Sequence, residues 1–283
     1  MIEKEIKLNG AVVFWSLGED TSAVDLDTGL RGLGLDAYTA EKNTALGAVK
    51  IALTKTYGKW GRPTIARVGG LEKYAVSYPK AVVTNGVDDI DYIKAFTVEY
   101  STDKSVMIFR SPTTGMVVQP NGYHNAQDIY TNEMTTCARH KVARCLTRIV
   151  GYLNGVALRD RGGLYWLPQD KMATFNAVAK VIQDAGSNSV YTVRTAHDTE
   201  SVRAICDALT NEVNSELNTI NADIMGGDIK KRAMKSRQDR AVNLRAQVAE
   251  YESILGTALD SLKERCDEAD TAAATTILAA FGA

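Results

Sequence analysis

Residues 156–194 read VALRDRGGLYWLPQDKMATFNAVAKVIQDAGSNSVYTVR. Two apolar arms, 156–158 and 164–167, flank Arg161-Gly162-Gly163 and predict a β-hairpin, because glycines supply the backbone freedom a tight reversal needs. Met172, Phe175 and Val178 recur at helical spacing and predict a helix over 171–185, and the β-branched run 189–194 predicts a strand. The stretch is therefore a β-β-α-β unit, a small platform for the second half of the chain.

Downstream, Val202, Ile205, Leu209, Val213, Leu217, Ile220 and Ile224 are spaced by three or four residues, and so are Leu244, Val248, Tyr251, Leu255, Leu259, Leu262 and Cys266. Each series advances about 3.67 residues per step, close to a straight α-helix and above the 3.5 of a heptad coiled coil. Two long antiparallel helices turning at Met225-Gly226-Gly227 are expected, a helical arm with little supercoil. Upstream, residues 125–154 read as one helix stopped by Asn154-Gly155. Before it, 111–122, with Pro112, Gly115, Pro120 and Gly122, reads as a connection.

Residues 1–118 mix strands and helices. Strands are expected at 2–8 and 11–15, and a hairpin pairs 94–100 with 105–110 through Thr102-Asp103-Lys104. Leu46, Val49, Leu53 and Tyr57 mark a helix with Asn43 as its N-cap, and a further helix runs over 21–33. The fold class is α+β. It divides into a mixed α/β domain (1–118), a helix plus β-β-α-β platform (119–198) and an antiparallel helical arm (199–283).

The 283 residues are 45% hydrophobic and 24% charged, enough to bury a core. The net charge of −1 excludes a chain that binds polyanions merely by being basic overall. No long uncharged apolar run is present and the N-terminus does not resemble a secretory signal, so a cytoplasmic protein with no membrane partner is expected. The scattered Cys137, Cys145, Cys206 and Cys266 are read as free thiols.

Local charge is more informative. Residues 128–183 carry eight basic and four acidic groups, and 228–245 carry seven and two. The hairpin tip combines Arg159, Arg161, Gly162 and Gly163 with Trp166, with Lys171, Arg144 and Arg148 nearby in sequence. Cations, close backbone approach and an aromatic face are what single-stranded nucleic acid uses, although Trp166 is equally suited to a core. Lys230, Lys231, Arg232, Lys235, Arg237 and Arg240 form a secondary basic strip. If the two helices fold back, Glu212, Glu216 and Asp223 neutralise much of it, so an ion-paired surface is the stronger expectation there.

Catalytic signatures are sparse. Gly32-Leu33-Gly34-Leu35-Asp36-Ala37 lacks the strand before it that a dinucleotide site requires, and there is no P-loop. Cys137, His140 and Cys145 provide three of the four ligands a zinc site wants, spread around one helix, so no metal or other cofactor is implied. Asp25 and Asp27, and Asp88, Asp89 and Asp91, could hold Mg²⁺ if another element delivered ligands, but turn and cap duty explains them. Around His197-Asp198, an aspartate or a threonine suits a cap for the helix beginning near 199.

The N-terminal α/β part, the segment Leu158-Arg159-x-x-Gly162-Gly163-x-Tyr165-Trp166-x-Pro168 and the terminal helical pair together resemble uncharacterised proteins of phages and bacteria, chiefly over 155–270. The resemblance implies a phage or bacterial source, hence the bacterial cytoplasm, and no known activity. The leading expectation is a non-enzymatic interaction protein that binds nucleic acid through the hairpin and self-associates or docks a protein partner through the arm. The alternatives are a purely structural or scaffold subunit, and a Mg²⁺-dependent hydrolase or nuclease using Asp88, Asp89 and Asp91.

Overall fold

The structure is a computed structural model that describes residues 8–59, 64–67, 73–84, 87–101, 106–159, 163–226 and 231–281. It is an α+β chain in two compact units. One comprises residues up to 16 with 146–183 and 189–283, and the other 17–145 with 184–188.

The first unit contains the predicted β-β-α-β element: β8 (Val156–Ala157), β9 (Tyr165–Pro168), α5 (Met172–Asp184) and β10 (Ser189–Ala196). Its antiparallel sheet has a fourth strand, β1 (Leu8–Ser16), in the order β10-β1-β9-β8. The division expected at residue 118 is thereby corrected, since the first strand of the chain pairs with the C-terminal half. Alternation sorts the faces of β1: Ala11 and Val13 are buried on one side, while Val12 lies with Trp166 and Val156 on the other.

That second face carries three helices, α6 (Thr199–Gly226), α7 (Lys231–Leu255) and α8 (Asp260–Phe281). The predicted apolar stripe of α6 is buried from Ile205 to Ile220, clustered with Leu244, Val248 and Tyr251 of α7 and Leu262 and Cys266 of α8. Arg237–Asp223 (2.7 Å) and Arg240–Glu216 (3.2 Å) tie α7 antiparallel to α6, and Arg245–Asp267 (2.5 Å) ties it to α8. At the start of α6, Asp198 Oδ1 accepts the Ser201 N–H at 2.7 Å, the expected cap, and this bond holds its carboxyl below the usual range.

The arm of two helices is corrected to three. Gly256 stands at φ +66° directly after α7 and ends it, its N–H donating to the Glu252 carbonyl at 2.9 Å. The Glu252 carboxylate then spans the break, accepting from Leu259 N at 3.1 Å and Lys263 Nζ at 2.8 Å. Nor is the helical part a rod clear of the body, because Tyr251 packs edge-on against Trp166 of the sheet at 5.3 Å. The break fixes the sign of a substitution. Gly256→Ala is expected to cost about 1–2 kcal/mol, the penalty of a Cβ in the left-handed region, whereas one continuous helix would gain up to about 1 kcal/mol from alanine. Urea denaturation of the full chain reads which sign holds.

In the second unit, β3 (Thr64–Arg67), β4 (Lys73–Thr84), β5 (Val87–Ser101) and β6 (Val106–Arg110) form an antiparallel sheet in sequence order. Helices α2 (Ala45–Tyr57) and α3 (Tyr123–Thr135) share its core, where Tyr57, Phe96 and Phe109 meet with ring centroids 5.0 to 6.2 Å apart. The hairpin of β5 and β6 follows the sequence reading; its connection, 102–105, lies outside the described residues, as do residues 2–7 of the strand expected at 2–8. Helix α1 (Ala23–Gly32) is capped by Ser22 and pairs Asp27 with Arg31 and Lys42, while β2 (Thr21–Ser22) pairs with β7 (Thr136–Cys137).

Two local expectations are corrected. Thr44, not Asn43, caps α2, its Oγ1 accepting the Gly47 N–H at 3.1 Å. Asn43 instead donates to the Glu133 carbonyl and accepts from Lys141 Nζ at 2.8 Å. The helix expected over 125–154 is interrupted by β7 and resumes as α4 (Arg139–Tyr152), ended as predicted near Asn154, at φ +56°. Among the described residues, no helix is long and apolar enough to cross a membrane.

Candidate functional site

Strands β8 and β9, the C-terminal turns of α4 and the middle of α6 enclose a cleft of about 600 Å³. Its walls include Val150 and Gly151 from α4, Leu158 and Arg159 after β8, and Tyr165 from β9; α6 contributes Asn211, Glu212, Ser215 and Glu216. The volume falls within the range of small-molecule sites.

Arg159 is exposed and reaches across the hairpin: its Nη2 lies 2.8 Å from where a Cβ on Gly163 would stand, and Gly163 has φ +80°. Glycine is favoured there by its backbone angle, since the guanidinium is the end of a flexible side chain and could move aside. Arg161 and Gly162 lie outside the described residues. Tyr165 is buried, its hydroxyl 3.3 Å from Thr147 Oγ1. Trp166 is wholly buried, with Nε1 donating to Thr195 Oγ1 at 2.9 Å, so the base-stacking role open to it in sequence is corrected to a core role. Its ring meets that of Tyr251 in a T-shaped contact.

Lys171 is likewise engaged. It bridges Asp170 at 2.8 Å and Glu250 at 3.3 Å, and the Asp170 hydrogen bond leads the effects that raise its pKa. Glu250 also accepts from Asn154 Nδ2, whose backbone carbonyl accepts the buried Tyr251 hydroxyl at 2.7 Å. Arg144 and Arg148 stand exposed one turn apart on α4.

The described side chains of the basic strip, Lys235, Arg237 and Arg240, are ion-paired. Arg237 and Arg240 are matched by Asp223 and Glu216, as the fold-back predicts, and Lys235 pairs with Asp239 at 3.1 Å. Lys231 and Arg232 open α7, and Lys230 lies outside the described residues. Glu212 departs from its expected role as a neutraliser. It turns into the cleft, where Oε2 accepts the Ala157 N–H at 3.1 Å. Burial raises its carboxyl above the usual range and Glu216 adds to the rise, while Ala157 N–H and Arg240 oppose it.

Asp88 and Asp89 stand at the start of β5, as expected of residues that open a strand, and Asp88, Asp89 and Asp91 are in register with Val83, Val82 and Lys80. The exposed Asp91 is part of a two-stranded ribbon. Cys137 and Cys145 are buried and His140 is exposed, so these three do not converge. All four cysteines are free thiols, and burial pushes those of Cys137, Cys206 and Cys266 up.

The ribbon is a feature that periodicity did not single out. Beyond the described extent of β3 and β6, residues 78–84 of β4 and 87–94 of β5 pair, among the described residues, with each other. Register places Pro79 beside Tyr92 and Ala81 beside Ile90 on one face with Val83. Val83, Ile90 and Tyr92 are 70%, 62% and 54% exposed.

Fold and cleft together define an α+β protein with a three-helix layer on an antiparallel sheet. The chain belongs to a family of unknown function, DUF6744, which its residues 8–280 match. No curated protein and no solved structure matches it.

Proposed function

We propose that the chain is a non-enzymatic structural subunit that associates with a second copy of itself through the β4–β5 ribbon. The observation that carries this reading is the exposed apolar face of Pro79, Ala81, Val83, Ile90 and Tyr92, an arrangement whose cost in water is relieved by covering it. A second copy is favoured by the charge at the two ends of that face. Exposed Lys94 lies at the inner end, and Asp88, in register with Val83, lies at the outer end. Two ribbons stacked antiparallel about a two-fold axis bring each lysine end to the partner's acidic end while burying apolar face on apolar face. At the hairpin, the ion pairing of Lys171 and the burial of Trp166 speak against nucleic-acid readout, and on α7 the pairing of Arg237 and Arg240 speaks against a phosphate-contacting strip.

Sedimentation velocity across concentration tests the proposal. Wild type is expected to dimerise, and Ile90→Asp with Tyr92→Asp to raise the dissociation constant at least about 100-fold, equivalent to two anchors of roughly 1.4 kcal/mol each. A wild type that stays monomeric, or a variant that dimerises equally well, overturns it. Oligonucleotide binding at low salt that disappears in Arg159→Glu would favour the nucleic-acid reading instead.

A further inference from the structure

The cleft of the first unit is independent of the ribbon and has a chemistry of its own. Glu212 and Glu216 are one helical turn apart on α6, so both carboxylates border the same cavity. Each is already held on one oxygen. Glu212 Oε2 takes the Ala157 N–H, and Glu216 Oε2 takes Arg240 Nε at 3.2 Å. Among the described residues, the second oxygen of Glu212 accepts no hydrogen bond. Beside these carboxylates the lining turns aliphatic, through Val150, Leu158 and the bare backbone of Gly151. A Cβ on Gly151 would meet nothing within 4 Å, so this wall faces open space. Arg159, the cation of the rim, has its guanidinium directed across the hairpin at Gly163.

We propose that this cleft binds a small organic cation, a primary ammonium on an aliphatic stem, with Glu212 and Glu216 receiving the charged head and Val150 and Leu158 the stem. A hard divalent ion is the poorer match, since it wants six or more oxygen ligands and the cleft offers two carboxylates that are each partly engaged. An ammonium needs only two or three acceptors and gains from the apolar walls. It also compensates the half-buried Glu212, whose charge is otherwise poorly solvated. The head could come from a free diamine or from a lysine side chain, and the two sources are separable by experiment.

Calorimetric titration of the full chain at low ionic strength tests this with 1,4-diaminobutane, with 1,4-butanediol as the uncharged control, and with acetyl-lysine amide as the side-chain mimic. Saturable 1:1 binding of the diamine and none of the diol is expected; tighter binding of the lysine mimic than of the diamine would assign the head to a protein side chain. Glu212→Gln, which keeps an acceptor for Ala157 N–H, is expected to weaken binding at least tenfold. Gly151→Leu fills the cleft from a position with free space and is expected to abolish binding with the melting temperature kept or raised. No saturable heat with either ammonium, or wild-type affinity in both variants, overturns the proposal, and MgCl₂ displacing the diamine at equal concentration would assign the site to a metal instead.

Discussion

Replacing Trp166 with alanine is expected to destabilise the first unit by about 3–5 kcal/mol, a large part of the stability of an ordinary domain. The indole is fully buried where the sheet meets the helices, and its register partners Val12 and Val156 flank it on the same face. Its loss removes the edge contact with Tyr251 and leaves a cavity that rigid strands cannot close. It also removes the donor to Thr195 Oγ1, which itself donates to Asn9 Oδ1 at 2.8 Å, so a buried polar chain loses its first member. Trp166→Phe keeps most of the volume and should cost less than half as much. Denaturant unfolding followed by far-UV circular dichroism reads both variants. A surface residue kept for stacking on bases would give a change within about 0.5 kcal/mol, and that result would return Trp166 to the hairpin's exposed face.

How far the fold was legible depends on whether its determinants are local. The β-β-α-β unit, the Asp198 cap and the stripe of α6 follow from spacing within a few residues, and the structure bears them out. The place of β1 is not local. Nothing in residues 8–16 says that their partners lie about 150 and 180 residues downstream, since pairing is set by which faces bury one another. The break at Gly256 was hidden because Leu255 and Leu259 are four apart, the spacing of an unbroken helix, while the chain between them leaves helical geometry. The ribbon had a signal in Asn85-Gly86, two residues between strands that end at Thr84 and restart at Val87. Glu212 and Glu216 had a fainter one. At helical spacing they fall among Leu209, Val213 and Leu217, and carboxylates within an apolar stripe mark where it borders a polar cavity. The composition of the hairpin was legible, but not the orientation of Trp166, because alternation says that neighbours face opposite ways and not which face is covered.

The second large effect is expected from the smallest change, Gly10→Ala. Gly10 lies in β1 between β9 and β10, opposite Pro168 on one side and Thr195 on the other. A Cβ there would stand 2.1 Å from the Leu167 carbonyl oxygen and 2.5 Å from Trp166 Cζ2. Neither can yield cheaply, because the carbonyl belongs to the paired neighbouring strand and the indole is enclosed on the helical side. The adjoining bulge, where the pairing steps from Leu8–Ala196 to Gly10–Thr195, turns Asn9 inward to receive the Thr195 hydroxyl, so a shift of β1 would break that bond too. Strain of this kind is expected to cost about 2–3 kcal/mol or more. Gly32→Ala provides the control of opposite sign. It adds the same methyl near the end of α1 with nothing within 4 Å, and gains up to about 1 kcal/mol of helix propensity. The double variant Gly10→Ala/Trp166→Ala then separates the two obstacles. If the indole is the harder one, the double variant is less destabilised than the two single changes added together; if the Leu167 carbonyl is, the costs add within about 0.5 kcal/mol. A Gly10→Ala protein as stable as wild type would mean that β1 does not lie this close to β9, and the sheet order on which both the cleft and the helical layer rest would fall with it.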